Sequence, residues 1–146
     1  MLELFSKYSS FFPEIESLYS YQESVFNILE REQNALAIIP TGGGKSLLYQ
    51  LKALDLKGIT IVISPLIALM NEQVNELNER GINDIALNSK YSLPRQRQLL
   101  RGLGKSKVKL LYIAPERLQN PFFRAALISS KVEISMIVVD EAHCVS

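Results

Sequence analysis

One short segment constrains this chain more than any other: Pro40-Thr41-Gly42-Gly43-Gly44-Lys45-Ser46. A continuous apolar run, Ala35 to Ile39, leads into it. Such a run, stopped by Pro and Gly, predicts a buried strand entering a tight loop. The sequence from Lys45 to about Leu54 then predicts a helix. Glycines allow positive φ and a close approach of backbone to oxygen atoms. Successive N–H groups at a helix start form a concave anion nest. The plainer alternative is a glycine-rich turn that caps a helix.

If the anion is a phosphate chain, each residue type has work to do. Lys45 reaches β- and γ-phosphates, and the Ser46 hydroxyl suits Mg²⁺. The strict pattern G-x-x-x-x-G-K-[ST] asks for Gly where this chain has Ile39. GTPases and kinases usually keep that glycine, and helicase-type loops often do not.

The rest of the chain alternates short apolar runs with amphipathic ones. Strands are expected at Ile59–Ile63, Asp84–Leu87, Leu110–Ala114 and Ile134–Val139. Helices are expected over 21–32, from Leu66 to Gly81, over 93–103 and over 122–128. This alternation predicts an α/β fold, a parallel sheet with helices on both faces. Ligands in such sheets sit at the carboxyl ends of the strands. With 146 residues, 47% of them apolar and 21% charged, the chain reads as one globular domain.

The last strand runs into Asp140-Glu141-Ala142-His143. Near a phosphate loop, Asp140 can hold Mg²⁺ through water, and Glu141 can orient and activate an attacking water. Alone, the pair would read as a solvated strand end. His143 and Cys144 are the only residues of their kinds, which excludes an all-protein Cys/His zinc site and an internal disulfide. One cysteine suits a reducing compartment such as the cytoplasm. No apolar run nears the roughly 18 residues of a membrane span, and no membrane partner is expected. Glu3 and the lack of a basic start argue against a signal peptide. Between Asp84 and Glu116 there is no acid, against seven bases from Lys90 to Lys109. That stretch can meet phosphate backbones, but a solvated helix face explains it as well.

Together these segments resemble the RecQ-type DNA helicases of superfamily 2. Residues 40–50, Pro-Thr-Gly-Gly-Gly-Lys-Ser-Leu-Leu-Tyr-Gln, look like that family's motif I. Ser64-Pro-Leu-Ile-Ala-Leu-Met looks like motif Ia, and Val139-Asp-Glu-Ala-His-Cys-Val-Ser like motif II. Leu87-Asn88-Ser89 and Tyr112-Ile-Ala-Pro-Glu-Arg-Leu118 match two further segments in order.

The resemblance implies the N-terminal RecA-like lobe of an ATP-dependent 3′–5′ DNA helicase. It implies a single, C-terminally incomplete ATP-binding domain over 1–146. It implies ATP and Mg²⁺ as cofactors, with Lys45, Asp140 and Glu141 catalytic. Gln22, Thr41, Gly42, Gly43, Gly44, Lys45 and Ser46 would bind ATP, and Ser46 and Asp140 would hold Mg²⁺. Gln22 precedes Pro40 by the spacing of the family's adenine-reading glutamine. The family's Arg-Pro before that glutamine is Tyr19-Ser20 here, so Tyr19 or Tyr21 would have to stack on the base. Single-stranded and partly duplex DNA would meet Ser64, Asn88, Ser89, Glu116 and Arg117. The second RecA-like lobe is absent from this chain. Two other readings stand beside this one: a nucleotide- or DNA-binding fragment without turnover, and an RNA helicase of the same superfamily.

Overall fold

A computed structural model describes residues 2–40, 42, 44–87 and 92–142. The chain divides into two compact units, Met1–Asp55 and Leu56–Ser146.

The first unit holds α1 (Leu2–Tyr8), a 3-10 turn (Ser9–Phe11), α2 (Ser20–Arg31) and α3 (Lys45–Asp55). Helix α3 packs against both α1 and α2. Gln22 and Phe26, one turn apart, form the buried face of α2. In α3 the residues from Leu47 to Leu51 are all buried. The exposed flank is tied by Lys7 Nζ and Tyr8 OH, both donating to Asp55 Oδ1 at 3.3 and 3.1 Å.

The expected strand at Ala35–Ile39 is not there. These residues have no strand pairing, and Leu36 and Ile38 are 81% and 91% exposed. An apolar run supplies the tendency to be buried, but a strand also needs a neighbour to accept and donate its ladder bonds. Among the described residues, the one sheet has four strands, and this segment is not one of them.

The second unit is a parallel α/β sheet with strand order β2-β3-β1-β4. Its strands are β1 (Ile59–Ile63), β2 (Asp84–Leu87), β3 (Leu110–Ile113) and β4 (Ile134–Val139). Between them run α4 (Ile67–Glu79), α5 (Leu93–Gly102), α6 (Pro115–Gln119) and α7 (Pro121–Ser129). Every residue of β1 and β3 is buried, as the continuous apolar pattern requires of inner strands. On one face Ile59, Ile61, Ile63, Leu111 and Ile113 pack with Leu100, Leu103 and Phe123 of the α5 and α7 segments. Alternation sends Thr60, Val62, Leu110 and Tyr112 to the other face, where all four are buried. Helix α4 contacts β2, and its buried Met70 and Leu77 lie outside the first cluster.

Strand β4 is different in kind. Ile134, Ile137 and Val139 are 41%, 61% and 47% exposed. Its register with β1 slips between Ile59 and Thr60, which leaves Ser135 as an extra residue. The Ser135 hydroxyl accepts the Gly58 N–H at 2.8 Å. A Cβ at Gly58 would fall on the Glu133 carbonyl, so only glycine fits there. The segment 115–117 is the start of helix α6, which opens with Pro115 in its first turn. No helix among the described residues is long and apolar enough to cross a membrane.

Candidate functional site

Two local sites emerge, one in each unit. In the first, Gly42 and Gly44 take φ of +78° and +72°, the left-handed region that glycine enters without a Cβ penalty. Helix α3 starts immediately after, with Lys45 and Ser46 as its first two residues. Thr41 and Gly43 lie outside the described residues. The first turn of α3 carries no acid and one cation, Lys45. That is the reverse of what the helix dipole favours, so the local electrostatics call for an anion at this end.

Gln22 stands behind the loop. It is 2% exposed. Its Oε1 accepts the Tyr19 N–H at 2.9 Å, and its Nε2 donates to the Gly44 carbonyl at 3.2 Å. The amide that the resemblance assigns to adenine thus faces the protein in this structure. Sequence reasoning missed this link. The only signal was the spacing Tyr19-x-x-Gln22, that of a capping box without its usual Ser or Thr. Tyr19 and Tyr21 stack on each other, with ring centroids 5.5 Å apart and planes 13° from parallel. Both rings are exposed. Tyr21 also lines an open cleft of about 620 Å³, shared with Val25, Leu36, Ile38, Pro40 and Gly42.

The second site is the carboxyl end of the sheet. The registers align Leu87, Ile113, Ile63 and Val139 in one row. The described residues that follow three of them are Ala114, Ser64 and Asp140. Parallel pairing therefore gathers three segments named from the sequence at one edge. The Asp140 N–H donates to the Ile63 carbonyl at 2.9 Å, and Asp140 Oδ1 accepts the Glu141 N–H at 2.9 Å. The second bond orients the carboxylate. Glu141 has φ +53°, a left-handed conformation that costs a non-glycine residue about 1 kcal/mol. Ser64 is buried, its N–H donating to the Ile113 carbonyl and its hydroxyl accepting the Leu66 N–H at 3.4 Å. Its side chain therefore shapes the turn into α4. Glu116 is exposed and Arg117 half-buried, both in α6. Asn88, Ser89 and His143 lie outside the described residues.

A glycine loop opening a helix, and a parallel α/β sheet with an acid at a strand end, are local features of the phosphate-binding-loop class. A model of the DEAD/DEAH box helicase family matches residues 19–146. The chain belongs to that family. It is similar to the ATP-dependent DNA helicase RecQ of Bacillus subtilis, 45% identical over 124 residues, which cover 85% of this chain and 21% of that protein. The RecQ of Haemophilus influenzae is 42% identical over 139 residues, 90% of this chain and 22% of that protein. The RecQ of Synechocystis is 41% identical over 123 residues, 84% of this chain and 26% of that protein. The chain thus spans about a quarter or less of the length of these relatives.

Proposed function

We propose that the chain is the ATP-binding lobe of an ATP-dependent 3′–5′ DNA helicase, working with a second RecA-like lobe. The observation that carries this reading is the start of α3. Two glycines of positive φ lead into a first helical turn that holds Lys45 and no acid. A helix N-terminus of this kind favours an anion. Lys45 neutralises the phosphates, and the helix amides cradle them.

Mg²⁺ fits the donor chemistry. The Ser46 hydroxyl and the Asp140 carboxylate are hard oxygen ligands. No group of three or more His, Cys, Asp or Glu that could hold a metal exists among the described residues. The ion therefore suits a role in which it arrives with the phosphates and keeps its waters. When bound, Mg²⁺ offsets phosphate charge. Glu141 is the residue proposed to orient the attacking water.

Motion along single-stranded DNA would use the loops at the carboxyl end of the sheet. The segments of Ser64, Asn88-Ser89 and Glu116-Arg117 would meet the phosphate backbone without reading bases. A soluble, reducing compartment suits the lone cysteine.

The test is titration calorimetry with Mg·ATP on the 146-residue chain and its Lys45→Ala variant. Wild type binds weakly, and the variant retains its fold and loses at least tenfold in affinity. Equal affinities would sink the assignment. Turnover by these 146 residues alone is expected to be negligible, since in the proposed reading a facing lobe meets the γ-phosphate. Robust DNA-stimulated hydrolysis by this chain would refute the need for a second lobe.

A further inference from the structure

We propose that Gln22 is a positioning residue for the phosphate loop, acting on the bound polyphosphate through the Gly44–Lys45 peptide. The inference rests on the nucleotide-binding reading of that loop. It assigns Gln22 a part that adenine recognition does not require.

The amide orientation is fixed by its partners. The Tyr19 N–H can only donate, so it faces Oε1; the Gly44 carbonyl can only accept, so it faces Nε2. A flipped amide would set donor against donor and acceptor against acceptor at both ends. Burial to 2% exposure removes water as a competitor, so breaking either bond leaves a buried polar group behind.

The consequence lies across the peptide bond. The Gly44 carbonyl and the Lys45 N–H belong to one rigid trans plane and point to opposite sides of it. Anchoring the carbonyl on Gln22 therefore turns the Lys45 N–H away from Gln22. Lys45 is also the first residue of α3, where amides point out along the helix axis. Gly44 has φ +72°, and glycine at such an angle turns its peptide plane at little cost. Without an anchor, that freedom would let the plane rotate and take the Lys45 amide out of the nest. Close approach completes the picture: a Cβ at Gly44 would lie 2.7 Å from Gln22 Nε2, so the bare backbone is what lets the amide reach the carbonyl.

Positioning and base reading differ in which ligands they affect. A residue that aims the loop affects every polyphosphate, whereas a residue that reads the base affects only those with adenine. The probes are Mg·ATP and magnesium tripolyphosphate, titrated by calorimetry into wild type, Gln22→Met and Gln22→Glu. Gln22→Met keeps the side-chain length and removes both bonds. Gln22→Glu keeps an acceptor for the Tyr19 N–H, so the α2 cap survives, while the donor to Gly44 is lost. The expected result is a loss of about tenfold for both ligands in both variants, the worth of one hydrogen bond to a rigid partner. A ¹⁵N-lysine label adds a readout that general destabilisation does not move. Without ligand, the Lys45 amide resonance should shift in the variants, while that of Lys52, further along the same helix, stays in place.

A loss confined to Mg·ATP, with tripolyphosphate binding unchanged, would overturn the proposal and restore Gln22 to base recognition alone. So would an unmoved Lys45 resonance. If Gln22→Met fails to fold, the capped Gln22→Glu variant decides. If wild type binds neither ligand, the nucleotide reading itself falls and takes this inference with it; wild-type binding with unchanged variants overturns the inference only.

Discussion

Replacing Gly44 by alanine tests the geometry of the loop at its tightest point. Two costs add. At φ +72° an alanine pays about 1 kcal/mol for the left-handed region. Its Cβ would also stand 2.7 Å from Gln22 Nε2. The amide is the far end of a flexible side chain, so it can swing away and relieve the overlap. Doing so breaks its bond to the Gly44 carbonyl and leaves a buried donor, which costs about 1–3 kcal/mol. The expected loss of stability is therefore about 2–4 kcal/mol. Urea denaturation followed by far-UV circular dichroism measures it. The two costs separate in a double-mutant cycle with Gln22→Ala. Once the glutamine is gone, Gly44→Ala should cost only the backbone part, about 1 kcal/mol, and the two substitutions should couple by at least about 1 kcal/mol. Strict additivity would refute the contact, and a Gly44→Ala chain as stable as wild type would refute the reasoning about both the φ and the contact.

In the proposed helicase, Glu141→Gln should keep ATP binding and stop hydrolysis; substantial residual turnover would pass the water-orienting role to another residue. Glu141→Gly should be as inactive yet more stable by about 1 kcal/mol, because glycine relieves the φ of +53°, and a melting curve at or below wild type would contradict that. Reversing Arg95, Arg97 and Arg101 together should lower DNA affinity only weakly. All three lie on the exposed side of α5, away from its buried Gln96 and Leu100, and Arg95 is engaged with Gln98 at 2.9 Å. A steep loss of affinity with a flatter salt dependence would show that this face meets DNA after all.

The edge strand β4 falls where its run predicts, at Ile134–Val139, and so does the inner strand β1, at Ile59–Ile63. Inner strands of a parallel sheet leave a strong mark, because both faces must be apolar. Helix α4 was legible from its stripe of Leu66, Met70, Val74 and Leu77 and from Gly81, whose φ is +85°. The Ala35–Ile39 run carried the same apolar mark and misled, since composition records a preference for burial and says nothing of which neighbour supplies the ladder. Helix α6 was missed for the opposite reason. Pro115 is a good first-turn residue, but five residues are too few to show a helical period.

The candidate residues were legible as types and less so as contacts. Lys45, Asp140 and Glu141 stand out because the motif spacing is short and each sits beside a strong element boundary. The link between Gln22 and Gly44 spans 22 residues and joins a side chain to a carbonyl, so no local pattern encodes it. What the structure adds is where local preference is overridden. Lys45 opens a helix at its positive end, and Glu141 holds a backbone conformation better suited to glycine. Each carries a cost that a neutral helix former or a glycine would avoid. Both costs fall on residues whose side chains the proposed chemistry needs, one to meet phosphate and one to orient water. In β1 and β3, propensity, pattern and burial agree. The proposed roles would explain the conflict at these two positions, whereas Lys131, with φ +54°, has the same backbone conflict as Glu141 and no proposed role.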